Sequence, residues 1–136
     1  MPYTPQHSAT SGRWTKLLAI AALAFGALTI FSAGSVLFGP DDAREWAGDY
    51  VLFIVWFNFL AGFAYMVAAT GLWTKSGWAA HLATLIAAAT AFAAIGFALV
   101  VLSGAAYEIR TIGALIFRFV FWATIAAFAY RTLRTT

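Results

Sequence analysis

Residues 78–102 read WAAHLATLIAAATAFAAIGFALVVL, with no Asp, Glu, Lys or Arg among them. A helix crosses the hydrocarbon core of a bilayer in about 20 apolar residues, and this run is long enough to do so. Three similar runs, at about 15–38, 51–73 and 112–130, are separated from it and from each other by GPDDAREWAGD, TKSG and SGAAYEIRT. Four membrane-spanning helices follow. Short connections make consecutive helices neighbours, so the expected fold is all-α, an up-down-up-down four-helix bundle.

The composition agrees. The chain is 63% hydrophobic and only 10% charged, with a mean hydropathy of +0.86. Soluble domains are about a quarter charged, so this chain lacks the polar surface to coat a water-soluble globule. At 136 residues it is one domain, residues 14–136, preceded by a tail at 1–13 (MPYTPQHSATSGR) that reads as flexible. The absence of cysteine excludes disulfides, thiolate metal sites and iron–sulfur clusters. Arg13 and Lys16 before the first run, with Ser32-Ala33-Gly34 near its end, resemble a signal peptide. Val36-Leu37-Phe38 prolongs the apolar run, so an uncleaved first helix is expected.

Orientation follows from the lysines and arginines. Arg13, Lys16, Lys75, Arg131 and Arg134 fall on one side, and only Arg44 and Arg110 on the other. Positive charge stays inside, so both termini are expected in the cytoplasm. All five acids, Asp41, Asp42, Glu45, Asp49 and Glu108, fall on the outer side. Trp14, Trp73, Trp78 and Tyr130 anchor the inner boundary, and Trp46, Tyr50 and Tyr107 the outer one. A cysteine-free, alanine-rich chain with short loops and no organelle address fits a bacterial inner membrane.

Packing is expected to rest on small residues, which let membrane helices approach closely. Ala22 and Gly26 provide them in the first span, and Ala80, Ala83, Ala87, Ala88, Ala91 and Ala94 in the third. The second and fourth spans carry bulky aromatics instead, among them Phe53, Trp56, Phe57, Phe59 and Phe63, then Phe117, Phe119, Phe121 and Trp122. Such a bundle has no wide pore.

Two polar residues stand inside the apolar runs. Arg118, in IGALIFRFVFW at 112–122, is a permanent cation about 9 Å below the outer end of its helix. Even lenient insertion scales set the cost at a bilayer centre at about 2.5–3.5 kcal/mol. Three roles are open to it: snorkelling outward along the corridor left by Ala114 and Thr111, pairing inside the bundle, or holding an anionic or quinone-like ligand. Trp122 offers a cation–π partner in each case. Asn58 lies at a similar depth, with Gly62 and Tyr65 on its face. It either bonds a neighbouring backbone or joins Tyr65 and Arg118 in one polar cluster in the outer half.

The remaining polar residues read as edges. Glu108 and Arg110 form a solvated loop pair, and about 15 Å along a straight helix separates Glu108 from Arg118. Gly39–Trp46 reads as a short interfacial helix with Asp41, Asp42 and Glu45 at its surface, and Asp49 as a cap for the second span. No metal is expected, since the acids lack an EF-hand spacing. His81 reads as an interfacial hydrogen-bonder, and because His7 lies in the tail no haem is expected. Thr74-Lys75-Ser76-Gly77 reads as a tight turn with a serine cap.

No phosphate-binding loop, dinucleotide fingerprint, zinc-protease motif or CxxC is present, so no cofactor and no catalytic residue is assigned. Carboxylates within the helices, usual in ion-coupled carriers, are also missing from the sequence. Hydropathy and length are shared with small four-helix membrane proteins at large, and no motif names a family. The first expectation is therefore a non-catalytic accessory, assembly or interaction subunit. Its partners are the lipid bilayer and either other membrane subunits or a second copy of itself, with no nucleic acid. The second is a small transporter or ligand-binding bundle with an outward-facing pocket at Arg118 and Asn58, taking a small amphiphilic or anionic ligand.

Overall fold

In the computed structural model the described residues are 5–133, with side chains from Gly12 onward. The first residues of the tail, the side chain of His7, and Arg134 lie outside them. The described residues form five helices, α1 (Pro5–Phe38), α2 (Asp41–Ala47), α3 (Leu52–Trp73), α4 (Trp78–Leu102) and α5 (Ile109–Leu133), joined by short connections, with no strand among them. Four segments are long and apolar enough to cross a membrane: Gly12–Phe38, Leu52–Trp73, Trp78–Leu102 and Ile109–Leu133. The protein is a small multi-pass membrane protein.

Two boundaries differ from the sequence reading. Helix α1 begins at Pro5, so residues 5–13 continue the helix instead of preceding it. A proline at a helix start costs nothing, because its missing N–H has no intrahelical acceptor there. Helix α5 begins at Ile109, one turn before the expected residue 112.

Helix α1 packs along α3, α4 along α5, and α3 against α4, whereas α1 and α5 touch only sparsely. The α1–α3 seam is built from small residues, as expected. Ala22 is fully buried, and a Cβ on Gly26 would lie 2.9 Å from the carbonyl oxygen of Gly62. Backbones approach closely because neither position carries a side chain. Alanines on α4 do the same work: Ala79, Ala80 and Ala83 are buried against α3 and α5. Outward-facing Phe31, Phe92, Leu85 and Leu99 are exposed, the surface a lipid-facing helix presents where lipid replaces water.

The connections show two corrections. Asp49 does not cap α3: the N-cap residue is Val51, with no side-chain cap bond. The Asp49 backbone N–H instead donates to Glu108 Oε2 at 2.9 Å. Ser76 does not cap α4 either: its hydroxyl meets Thr74 Oγ1 at 2.9 Å, and Gly77 is the N-cap residue. The turn is organised from the preceding helix. Ser76 N–H reaches Gly71 O at 2.9 Å and Lys75 N–H reaches Leu72 O at 3.1 Å. That is the Schellman closure, with Lys75 at φ 57 in the left-handed position. The same pair of bonds ends α4, there with Gly104 at φ 98.

Candidate functional site

The polar residues of the spans meet at the end of the bundle that carries α2. Arg118 lies about 14 Å along α5 from Ile109. Thr29 lies about as far from the α2 end of α1, and Tyr65 about 20 Å along α3 from Leu52. Helical side chains lean toward their own N-terminus, which brings the Tyr65 hydroxyl back toward Arg118. Arg118 Nη1 donates to Thr29 Oγ1 at 3.0 Å and to Tyr65 Oη at 3.2 Å. Its guanidinium carbon lies 4.9 Å from the ring centre of Phe25 and 5.9 Å from that of Tyr65.

Arg118 therefore does not extend toward the outer headgroups, and Trp122 is not its cation–π partner. Two hydroxyls buried in the bundle supply acceptors directly, so the side chain need not reach water. Hydrogen bonds to a charged donor are worth about 1.5–3 kcal/mol each. Two of them offset an insertion cost of about 2.5–3.5 kcal/mol. Trp122 acts one layer deeper: it is fully buried, and its ring lies 4.9 Å from that of Tyr65. It holds the phenol that holds the arginine.

The guanidinium is only partly used. Both bonds leave from Nη1, Nε is buried without a partner, and Nη2 has none among the described residues. Among the described residues no carboxylate touches Arg118. Asn58 belongs to the same cavity without bonding Arg118, and its Oδ1 is likewise buried and unpartnered. The cluster expected from the sequence thus splits into a bonded pair, Arg118–Tyr65, and a neighbouring Asn58.

Above these groups lies a cavity of about 250 Å³. Its walls are Thr29, Ser32, Ala33 and Val36 of α1, Ile54, Val55 and Asn58 of α3, and Thr111, Ala114, Leu115 and Arg118 of α5. Trp46, Ala47, Tyr50, Val51, Glu108 and Arg110 form the rim. The corridor read from Thr111 and Ala114 is one wall of this space.

The rim is tied together by Glu108 and Arg110. Glu108 holds the Asp49 N–H and lies 3.5 Å from Arg110. Arg110 donates to the carbonyl of Trp46 at 3.1 Å and stacks 4.7 Å from that indole. Glu108 and Arg110 neutralise each other, so Arg118 sets the net charge of the cavity. Asp41 is paired with Arg44, whose other donor reaches Val36 O at 3.0 Å. Asp41, Asp42, Glu45 and Asp49 line no part of the cavity and remain surface groups. Among the described residues no three histidine or acidic side chains converge as a metal site.

Thr29 and Phe25 went unread in the sequence. A signal for Thr29 existed: Ala22, Gly26, Thr29 and Ala33 recur at three- and four-residue steps, so the small face already seen at Ala22 and Gly26 runs on through Thr29. At the opposite end, His81 Nδ1 and Tyr130 Oη are 3.0 Å apart, the hydrogen-bonding role expected of that histidine. No protein family matches the chain, and no curated protein or solved structure is similar to it.

Proposed function

We propose that this membrane protein is a ligand-binding bundle whose cavity at Arg118 takes an oxyanion. The observation that carries this reading is the half-engaged guanidinium. With Nη1 committed to Thr29 and Tyr65, the Nε–H and Nη2–H edge is left without protein acceptors. That edge has the shape of the two-pronged donor that matches a carboxylate or phosphate side-on, with Nη2 as the accessible prong and the buried Nε–H behind it. Asn58 supplies an amide beside it, and a net charge of one cation favours an anion. A charge pair at about 4 Å gains on the order of 4 kcal/mol at an effective dielectric near 20. This reading reverses the order of the sequence expectations, because the partner-subunit role gains no feature of its own from the fold.

On the same reading the bundle is up-down-up-down, both termini are cytoplasmic, and the cavity opens outward from a bacterial inner membrane. Its support is the bias of Arg13, Lys16, Lys75 and Arg131 to one end. A phosphatase reporter fused after Thr136 should be inactive and a fluorescent-protein fusion bright; the opposite pair overturns this orientation.

The binding reading is tested on purified protein in mild detergent. Native mass spectrometry should show the wild type retaining a small anionic adduct. Arg118→Lys should weaken it about tenfold, the scale of ~1.4 kcal/mol, because the planar fork is lost. Arg118→Gln should abolish it. Equal retention by all three proteins sinks the reading.

A further inference from the structure

We infer that the oxyanion is borne on a single long acyl chain and reaches Arg118 sideways from the bilayer, through a gap between α1 and α5. This rests on the binding reading above and names its ligand class. Three observations carry it. The cavity is about 250 Å³, below the roughly 300–1,000 Å³ of pockets that enclose a drug-sized ligand. It holds a head and leaves a chain outside.

Second, the cavity wall between α1 and α5 is made of small, exposed residues. Ser32 of α1 and Ala114 of α5 both line it and are both exposed. Each lies within a membrane-spanning segment, which sets this stretch of the cavity wall at the depth of the hydrocarbon. α1 and α5 touch only sparsely. Third, the seam closes just below the arginine. Phe25 meets Phe117 and Phe121 edge-on at 5.5 and 5.1 Å, and the guanidinium lies over the same Phe25 ring. The gap therefore ends at Arg118, with an aromatic floor beneath the head and small side chains on either lip.

An amphiphile is concentrated in the leaflet and already oriented with its head at the interface. A lateral gap spares it the cost of drawing its chain through water, which grows with every methylene exposed. A second groove competes for the chain: Ala94, Ala98, Ile112, Leu115 and Phe119 line about 610 Å³ between α4 and α5. It shares only Leu115 with the cavity, and that side chain is buried as the wall between them.

The test uses full-length protein in phosphatidylcholine nanodiscs and two labelled probes, palmitate and palmitoyl lysophosphatidate, with butyrate and inorganic phosphate as soluble competitors. Saturable binding of at least one long-chain probe is expected, and which probe binds tells carboxylate from phosphate. Arg118→Gln should weaken it more than tenfold. Ser32→Phe/Ala114→Phe, which narrows the gap at two exposed positions, should do the same while leaving the melting temperature unchanged. The soluble competitors should displace the probe only at concentrations at least a hundredfold higher. If the soluble anion competes equally and the double Phe variant binds normally, access is aqueous: the inference falls and the binding reading stands. If the double Phe variant binds normally and only Ile112→Trp in the α4–α5 groove weakens the probe, the gap is also overturned. If neither probe nor either soluble anion binds in an Arg118-dependent way, both fall together.

Discussion

Gly26→Val should loosen the bundle by about 1–3 kcal/mol, the usual cost of forcing extra methyl groups into a packed interface. The reason is geometric. Even a lone Cβ at Gly26 would lie 2.9 Å from the Gly62 carbonyl oxygen and 3.1 Å from Tyr65 Cβ. A backbone oxygen cannot swing aside as a side chain can, so α1 must lift from α3. The site moves with it. Phe25, next in the chain, stacks at 5.2 Å on Tyr65, and both rings flank the guanidinium. Loss of stability and loss of anion retention should therefore appear together.

Gly113→Ala is the matched control, since nothing lies within 4 Å of a Cβ there. It should be neutral or slightly stabilising, alanine being the better helix former by up to about 1 kcal/mol. Thermal unfolding in detergent separates the two. Equal melting of Gly26→Val and Gly113→Ala would falsify the close α1–α3 approach.

The spans were legible in the sequence because hydropathy over some twenty residues is a local property. Trp78–Leu102 was read to the residue, and Leu52–Trp73 to within one. The ends of α1 and α5 were not, since Pro5 and Ile109 lie in polar or mixed sequence where nothing marks the first turn. Arg118 and Asn58 stood out as polar residues in apolar runs. What Arg118 bonds was only half legible. Tyr65 shares a face with Asn58 and was named on that ground. Thr29 belongs to a helix far away in the chain, and a threonine among apolar residues carries little signal of its own. The caps failed for a related reason. Asp49 and Ser76 are good cap residues by type, but Glu108 captures the Asp49 N–H across the rim, and the Schellman bonds fix Ser76 from the helix before it. Tertiary contacts outbid the local preference in both places.

Arg118 combines two demands that usually conflict. A cation in a membrane must be bonded to be tolerated, and a binding cation must keep donors free. The guanidinium meets both because its five N–H groups leave in different directions. Thr29 and Tyr65 take the pair on Nη1 and fix the plane, which leaves the opposite edge, the Nη2 group and the buried Nε–H, without a protein acceptor. A lysine, with one rotating ammonium, has no such division. Preorganisation of this kind raises affinity by removing the ordering cost from the binding step.

Trp122→Ala should be the most damaging single change, at about 3–5 kcal/mol for removing a fully buried tryptophan. Trp122 has no exposed surface and packs on Tyr65 at 4.9 Å and Phe121 at 5.4 Å. Its loss opens a void directly beneath the Tyr65 ring, so the phenol tilts and the Nη1 anchor slackens. Anion retention should fall at least about tenfold in whatever protein remains folded, the scale of ~1.4 kcal/mol. Trp122→Phe should behave quite differently. The indole Nε1 is buried without a partner, and such a donor costs about 1–3 kcal/mol in lost hydration. Phenylalanine removes that donor while keeping an aromatic face for Tyr65, and the gain opposes the smaller void it leaves. Trp122→Phe should therefore melt within about 1 kcal/mol of wild type, with binding retained. Should Trp122→Phe prove as damaging as Trp122→Ala, the Nε1 proton has an acceptor, and Trp122 serves the site through that bond and not through the ring beneath Tyr65.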